Sequence, residues 1–233
     1  MGNWRGNTRT PAGRRHAGGE PGCGNGIRVF TAVPTVLIMT GFSPSLDPAR
    51  TAVLLMDYQV GIVANVAGGA EALLARANAV AAAARTAGMT VIFVKVCFRP
   101  GHPEIGATNL RFSELKGTAR FARDDPATEI HPAVAPQPGD IVVMKRRVSA
   151  FTGSDLEVIL RARGIETLVL GGIATSGVVL STLRQAADAD YRLVVLADCC
   201  ADRDAEVHRV LLEKGLKMMD GTVRLGRRTG EDS

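Results

Sequence analysis

Apolar positions in this chain gather into short unbroken runs, separated by longer stretches in which they recur at helical spacing. Thr51 to Asp57 is one such run, apolar until it ends on a carboxylate. A run of this kind predicts a strand covered on both faces, with the acid at its C-terminal end. Met89–Val96, Asp140–Met144, Thr167–Gly171 and Tyr191–Ala197 repeat the pattern, and a short final strand is expected near Leu216–Met219. Between them, Ala70–Ala87 reads as an Ala-rich helix closed by Gly88, since Ala has the best helix propensity and Gly takes the left-handed cap. Further helices are expected from Ser154 or Asp155 to Arg163, from Ser176 to Ala189, and from a cap at Asp202 or Asp204 to Lys214. Strands alternating with helices predict right-handed βαβ units. The fold class is therefore α/β, a three-layer α/β/α sandwich with a mainly parallel, Rossmann-like sheet.

The connection from Cys97 to Gly139 breaks the rhythm. It is long and carries Pro100, Pro103, Pro126, Pro132, Pro136 and Pro138, and loops of this length in compact domains are often functional. In open parallel sheets the ligand crevice lies outside the carboxyl ends of the strands. Asp57, Lys145 and the Gly171–Gly177 turn all map to that edge. A carboxylate there can act as general acid or base, and a neighbouring ammonium can hold its charge or polarise a substrate oxygen. The Gly-rich turn leads from a strand into a helix, where free N–H groups suit an oxyanion or a carboxylate. It matches neither the dinucleotide fingerprint nor the phosphate-binding loop, so no nucleotide cofactor is expected. His102, His131 and His208 are not spaced as metal ligands and read as satisfied surface histidines, so no metal is expected either.

Composition changes the picture in one place. The formal charge of +5 hints at nucleic acid, but residues 1–38 hold Arg5, Arg9, Arg14, Arg15 and Arg28 against Glu20 alone. Without them the remaining 23 basic and 22 acidic residues nearly balance. The basicity belongs to a tail and not to a folded face, which argues against nucleic-acid binding. The expected organisation is a tail over residues 1–38, disordered or a translated upstream region before Met39, a domain over 39–220, and a flexible tail over 221–233. Val29–Met39 faintly imitates a signal peptide, but it contains Pro34 and lacks an Ala-x-Ala site. Cys23, Cys97, Cys199 and Cys200 form no disulfide framework and no zinc pattern. A reducing, cytoplasmic setting follows as the expectation, and no run is long enough for a membrane span.

Three stretches together carry a resemblance: Thr51-Ala-Val-Leu-Leu-Met-Asp-Tyr-Gln59, Lys145-Arg-Arg-Val-Ser-Ala-Phe-Thr-Gly-Ser-Asp-Leu156 and Gly171-Gly-Ile-Ala-Thr-Ser-Gly-Val-Val179. With Glu129-Ile-His-Pro, Pro138-Gly-Asp140 and Asp198 to Asp202, the set resembles the isochorismatase-like (cysteine hydrolase) superfamily over about residues 48–215. The resemblance implies a parallel-sheet sandwich that assembles as a homo-oligomer. It also implies an Asp–Lys–Cys triad, of which Asp57 and Lys145 carry over as catalytic residues. Gln59, Phe98, Ile173, Ala174, Thr175 and Val178 are then expected around the substrate, with a non-proline cis bond at Ile173–Ala174. The third triad member is missing, because Val178 stands at the nucleophile's position. An isopropyl group cannot attack a carbonyl, so thioester chemistry there is excluded. Phe98-Arg-Pro-Gly-His102 also replaces the ligand pattern of the metal-dependent nicotinamidase branch.

Two readings follow from this resemblance. One is a hydrolase acting on a small carboxylate- or amide-containing metabolite without a cysteine nucleophile, with Asp57 as general acid/base. Isochorismatases that lack the cysteine imply Asp57 as the proton donor, with Lys145 and the turn at Thr175 orienting substrate carboxylates. A close Lys145 would lower the pKa of Asp57, whereas an acid catalyst needs it raised. The other reading is a binding pseudoenzyme of the same fold, with Cys97 or Cys200 as a displaced nucleophile left as a further chemistry.

Overall fold

The computed structural model describes residues 46–66, 69–215 and 222–225. The strands are β1 (Thr51–Met56), β2 (Thr90–Val96), β3 (Ile141–Lys145), β4 (Thr167–Ile173), β5 (Arg192–Ala201) and β6 (Thr222–Leu225). The helices are α1 (Val60–Val63), α2 (Glu71–Thr86), α3 (Leu156–Ala162), α4 (Leu180–Ala187) and α5 (Ala205–Val210). The strands lie in the order β3-β2-β1-β4-β5-β6, and every neighbouring pair is parallel. This is the doubly wound order, whose direction reverses between β1 and β4.

Pleating divides the core between the two faces. Ala52, Leu54 and Met56 of β1 pack on one side with Leu156 and Leu160 of α3 and Leu183 and Ala186 of α4. Val53 and Leu55 pack on the other side with Leu73, Leu74, Ala77, Ala81 and Ala84 of α2. Every residue of β1 and of β4 is buried. That is why these strands read as continuous apolar runs instead of alternating ones. The three-layer sandwich with a parallel sheet is thus the fold observed.

Several boundaries differ from the sequence reading. β4 and β5 run on to Ile173 and Ala201, because after an irregularity between Leu170 and Gly172 the ladder resumes with Gly172 opposite Cys200. The helix expected from Ser176 begins at Leu180; a wide turn over Thr175–Val179 comes first, with Gly177 at φ −98° and ψ −105°. Asp204, not Asp202, caps α5, its carboxylate accepting from Glu206 N and Val207 N. The short helix Val60–Val63 was not anticipated; four residues are too few to show a helical period. β6 falls within residues 221–233, which the sequence marked as a tail; it has a place because it pairs with Leu193–Leu196 of β5. The strand expected near Leu216–Met219 and the tail over residues 1–38 lie outside the described residues. No helix among the described residues is long and apolar enough to cross a membrane.

Candidate active site

The C-terminal edge of the sheet at the β1/β4 reversal collects the chemistry-bearing residues. Asp57 follows β1 directly with φ +61°, a left-handed conformation that Asp tolerates better than most residues. Its N–H donates to Val94 O at 2.8 Å, so β2 fixes where the side chain leaves the sheet. Lys145 ends β3, two strands away. The two side chains meet across that gap, Nζ to Oδ2 at 2.9 Å, with Lys145 2% and Asp57 5% exposed.

Lys145 has three N–H donors and three acceptors: Asp57 Oδ2, Arg147 O at 3.1 Å and Val148 O at 3.0 Å. No donor is left over for a substrate. Asp57 Oδ1, in contrast, is buried with no hydrogen-bond partner among the described residues. A carboxylate oxygen in that state is costly unless something that is not protein completes it. Burial raises the Asp57 carboxyl above its ordinary range, against the pull of the Lys145 ammonium. The conflict posed by the sequence is thereby resolved in favour of desolvation.

The turn after β4 lies at the same edge of the sheet. The Ile173–Ala174 bond is cis, and a Cβ built on Gly177 would sit 4.0 Å from Val148 Cγ1, so the loop cradling Lys145 abuts the turn. Thr175 is clamped from the β5–α5 side: its hydroxyl bonds Ala201 O at 3.2 Å and pairs with His208 Nδ1 at 2.8 Å. Ser176 N donates to Asp202 Oδ2 at 2.7 Å. The residue at the expected nucleophile position, Val178, is buried in the core beside Val179 and Leu183. Ile173 is buried on the α2 face of the sheet, and Ala174 is partly exposed at the start of the turn.

Gln59 and Phe98 sit in the same neighbourhood with structural contacts. The Gln59 amide donates to Val96 O and Thr128 O at 2.9 and 2.8 Å and accepts from Val96 N at 2.8 Å, clipping the long connection to β2. Phe98 anchors a small cluster with Val96 and Ile105. His102 departs from its surface reading: it is fully buried, its ring 5.4 Å from that of Phe98. Its φ of +53° in a tight turn tucks it inward, and Nε2 donates to Arg120 O at 2.8 Å.

A charged knot at the rim escaped the sequence reading altogether. The Glu104 carboxylate accepts from Arg99 at 2.7 Å and from Arg146 at 3.2 Å, and its carbonyl accepts from Arg147 at 2.9 Å. The only signal available was the Lys145-Arg146-Arg147 triplet, which resembles ordinary surface charge. Among the described residues no group of three or more His, Cys, Asp and Glu is placed to hold a metal. Burial pushes the thiols of Cys199 and Cys200 up to about 12.

Known proteins resemble this chain in sequence and in fold. Ureidoacrylate amidohydrolase RutB of Methylobacterium radiotolerans is 34% identical over 224 residues, covering 87% of this chain and 83% of its own length. Maleamate amidohydrolase of Pseudomonas putida is 29% identical over 167 residues, covering 70% and 78%. A solved isochorismatase family protein from Burkholderia thailandensis superposes with a TM-score of 0.66 at 31% identity, over 77% of this chain and 93% of that one. A cysteine hydrolase structure from Pseudomonas syringae pv. phaseolicola gives 0.69 at 25% identity, over 81% and 92%. The model of the isochorismatase domain matches residues 51–223, from the first strand into the last, and the chain belongs to that family.

Proposed function

We propose that this chain is a hydrolase that cleaves the amide or ureide bond of a small carboxylate-bearing metabolite with water in place of a cysteine nucleophile. The observation that carries the reading is the buried, unpartnered Oδ1 of Asp57 beside an Oδ2 held by Lys145. A water bonded to Oδ1 loses a proton to Asp57 as its oxygen attacks the carbonyl carbon. Asp57 returns the proton to the leaving nitrogen as the C–N bond breaks, so acid and amine leave and the carboxylate is restored. Lys145 keeps Asp57 oriented and touches no substrate in this scheme. Val178, at the position where a thiol is expected, has no group that could attack a carbonyl. Cys199 and Cys200 are poor substitutes, because a thiol titrating near 12 holds almost no thiolate at neutral pH. The relatives named for ureidoacrylate and maleamate support the bond type.

A non-catalytic binder of the same small acids is the second reading, favoured by the complete internal pairing of Lys145. Hydrolysis assays on ureidoacrylate, maleamate and isochorismate, with Asp57→Asn in parallel, decide between them. Turnover lost in Asp57→Asn supports the hydrolase. No turnover from folded protein, with ligand still bound, favours the binder. Light scattering checks the homo-oligomer that the family resemblance implies.

A further inference from the structure

We propose that Arg147 anchors the carboxylate of the substrate and so sets the preference for a carboxylate-bearing amide over its neutral carboxamide; the inference rests on the amide-hydrolase reading above. Lys145, Arg146 and Arg147 deliver three cations in succession to the rim of the site. Lys145 is neutralised by Asp57 at 2.9 Å, and Arg146 by Glu104 at 3.2 Å, a carboxylate that also serves Arg99. Arg147 meets only carbonyl oxygens, Nη1 on Arg146 O at 2.6 Å and Nη2 on Glu104 O at 2.9 Å. No carboxylate lies within ion-pairing distance of it among the described residues.

A guanidinium has five N–H donors, so three remain on Arg147 after those two bonds. The residue is partly buried, and a partly desolvated cation without a counter-ion draws an anion from solution. Its position ties that anion to the chemistry. The carbonyl of Arg147 accepts one of the Lys145 donors, so one short loop holds both the guanidinium and the Asp57–Lys145 pair. Its neighbour Val148 lies against the turn at Gly177. In this proposal one small molecule meets Arg147 with one end and Asp57 Oδ1 with the other. A single uncompensated charge with a planar fork matches a carboxylate better than a multiply charged phosphate. Glu104 organises the arrangement: its carbonyl aims Arg147, while its carboxylate is occupied by the other two arginines.

The test uses calorimetric titration of the full chain with succinate at constant ionic strength, which needs no turnover. Succinate is expected to bind the native protein and to bind Arg147→Gln about tenfold or more weakly, the loss typical of a charge-assisted hydrogen bond. Arg147→Lys restores part of the affinity, and Arg161→Gln, at the opposite end of the sheet, leaves it unchanged. Inorganic phosphate binds more weakly than succinate. In assays, Arg147→Gln raises KM for a carboxylate-bearing amide about tenfold with kcat within about twofold, and leaves its neutral carboxamide counterpart unaffected. The proposal is overturned by absent succinate binding, by equal binding to native protein and Arg147→Gln, by tighter phosphate binding, or by an equal kcat loss on both substrates. Amide turnover without Arg147-dependent succinate binding sinks this inference alone; Arg147-dependent binding without any turnover sinks the hydrolase reading alone.

Discussion

The two ends of the parallel sheet both carry arginines and carboxylates, and they use them in opposite ways. At the N-terminal end, Arg50, Glu166 and Arg192 flank the starts of β1, β4 and β5 around a hollow of about 460 Å³ that Arg161 and Asp190 also line. Arg50 pairs with Glu166, which also faces Arg192 at 3.8 Å, and Arg161 pairs with Glu157 at 2.8 Å one helical turn away. These side chains stand in water, Arg192 being 75% exposed. Exposed pairs of this kind contribute little to stability, because water screens them. At the C-terminal end Asp57 and Lys145 are almost fully enclosed, and one carboxylate oxygen has no partner among the described residues. A sizeable hollow lined by charge is thus not by itself a site. Burial makes the difference, because it turns an unsatisfied oxygen from a solvated group into a demand for a ligand.

The contrast can be broken by substitution at matched positions. Asp57→Asn is expected to lower kcat by about 10²–10⁴, the range for a lost general base, while Glu166→Gln leaves kcat unchanged; equal effects at both ends would remove the distinction. The pH profile sharpens the same point. A base must be ionised, and burial holds Asp57 above its ordinary 3.8. Activity should therefore rise with pH along a limb displaced upward from that value, and the limb should vanish in Asp57→Asn. The sign for stability is the reverse: the contribution of this group is present below 3.8 and is lost as pH rises through the raised value.

Lys145→Met leaves the Asp57 carboxylate buried without its cation. A loss of about 3–5 kcal/mol in denaturant unfolding is expected, against no more than about 1 kcal/mol for Arg192→Met. Gly172→Ala comes next, since its new Cβ would lie 2.7 Å from Met56 O and 3.0 Å from Met56 Cβ. Overpacking there should cost about 1–3 kcal/mol and disturb Asp57, the next residue after Met56. Gly164→Ala, where a Cβ meets nothing within 4 Å but φ is +62°, should cost only about 1 kcal/mol. A thermal-melt series over these variants would show whether the order holds.

The core strands were legible because burial on both faces demands unbroken apolar runs, and Gly88 and Gly164 mark helix ends at φ +76° and +62°. The wide turn before α4 was not, because its shape depends on contacts from a distant stretch of chain, Asp202 accepting from Ser176 N and Ala201 and His208 holding the Thr175 hydroxyl. The expected roles divide along the same line. Asp57 and Lys145, expected at one edge of the sheet, meet there across the width of β2, whereas Gln59 and Thr175 have their polar groups engaged with the protein itself. Nothing in the spacing of Gln59 or Thr175 distinguishes a group that faces ligand from one that clips a loop.

By itself, then, the amino-acid sequence determined the layers of the fold and the sheet edge at which Asp57 and Lys145 both lie. Each of these follows from local periodicity or from residue identity at one position. Only the tertiary structure decided that Lys145 has no donor to spare and that Glu104 occupies Arg99 and Arg146, and that among the described residues Asp57 Oδ1 is unmet and Arg147 goes without a counter-ion. Those are outcomes of hydrogen-bond accounting among residues far apart in the chain, Glu104 and Arg147 being separated by 43 positions. Donors and acceptors can be counted from composition, but which of them remain unpaired is settled by the packing that brings them together.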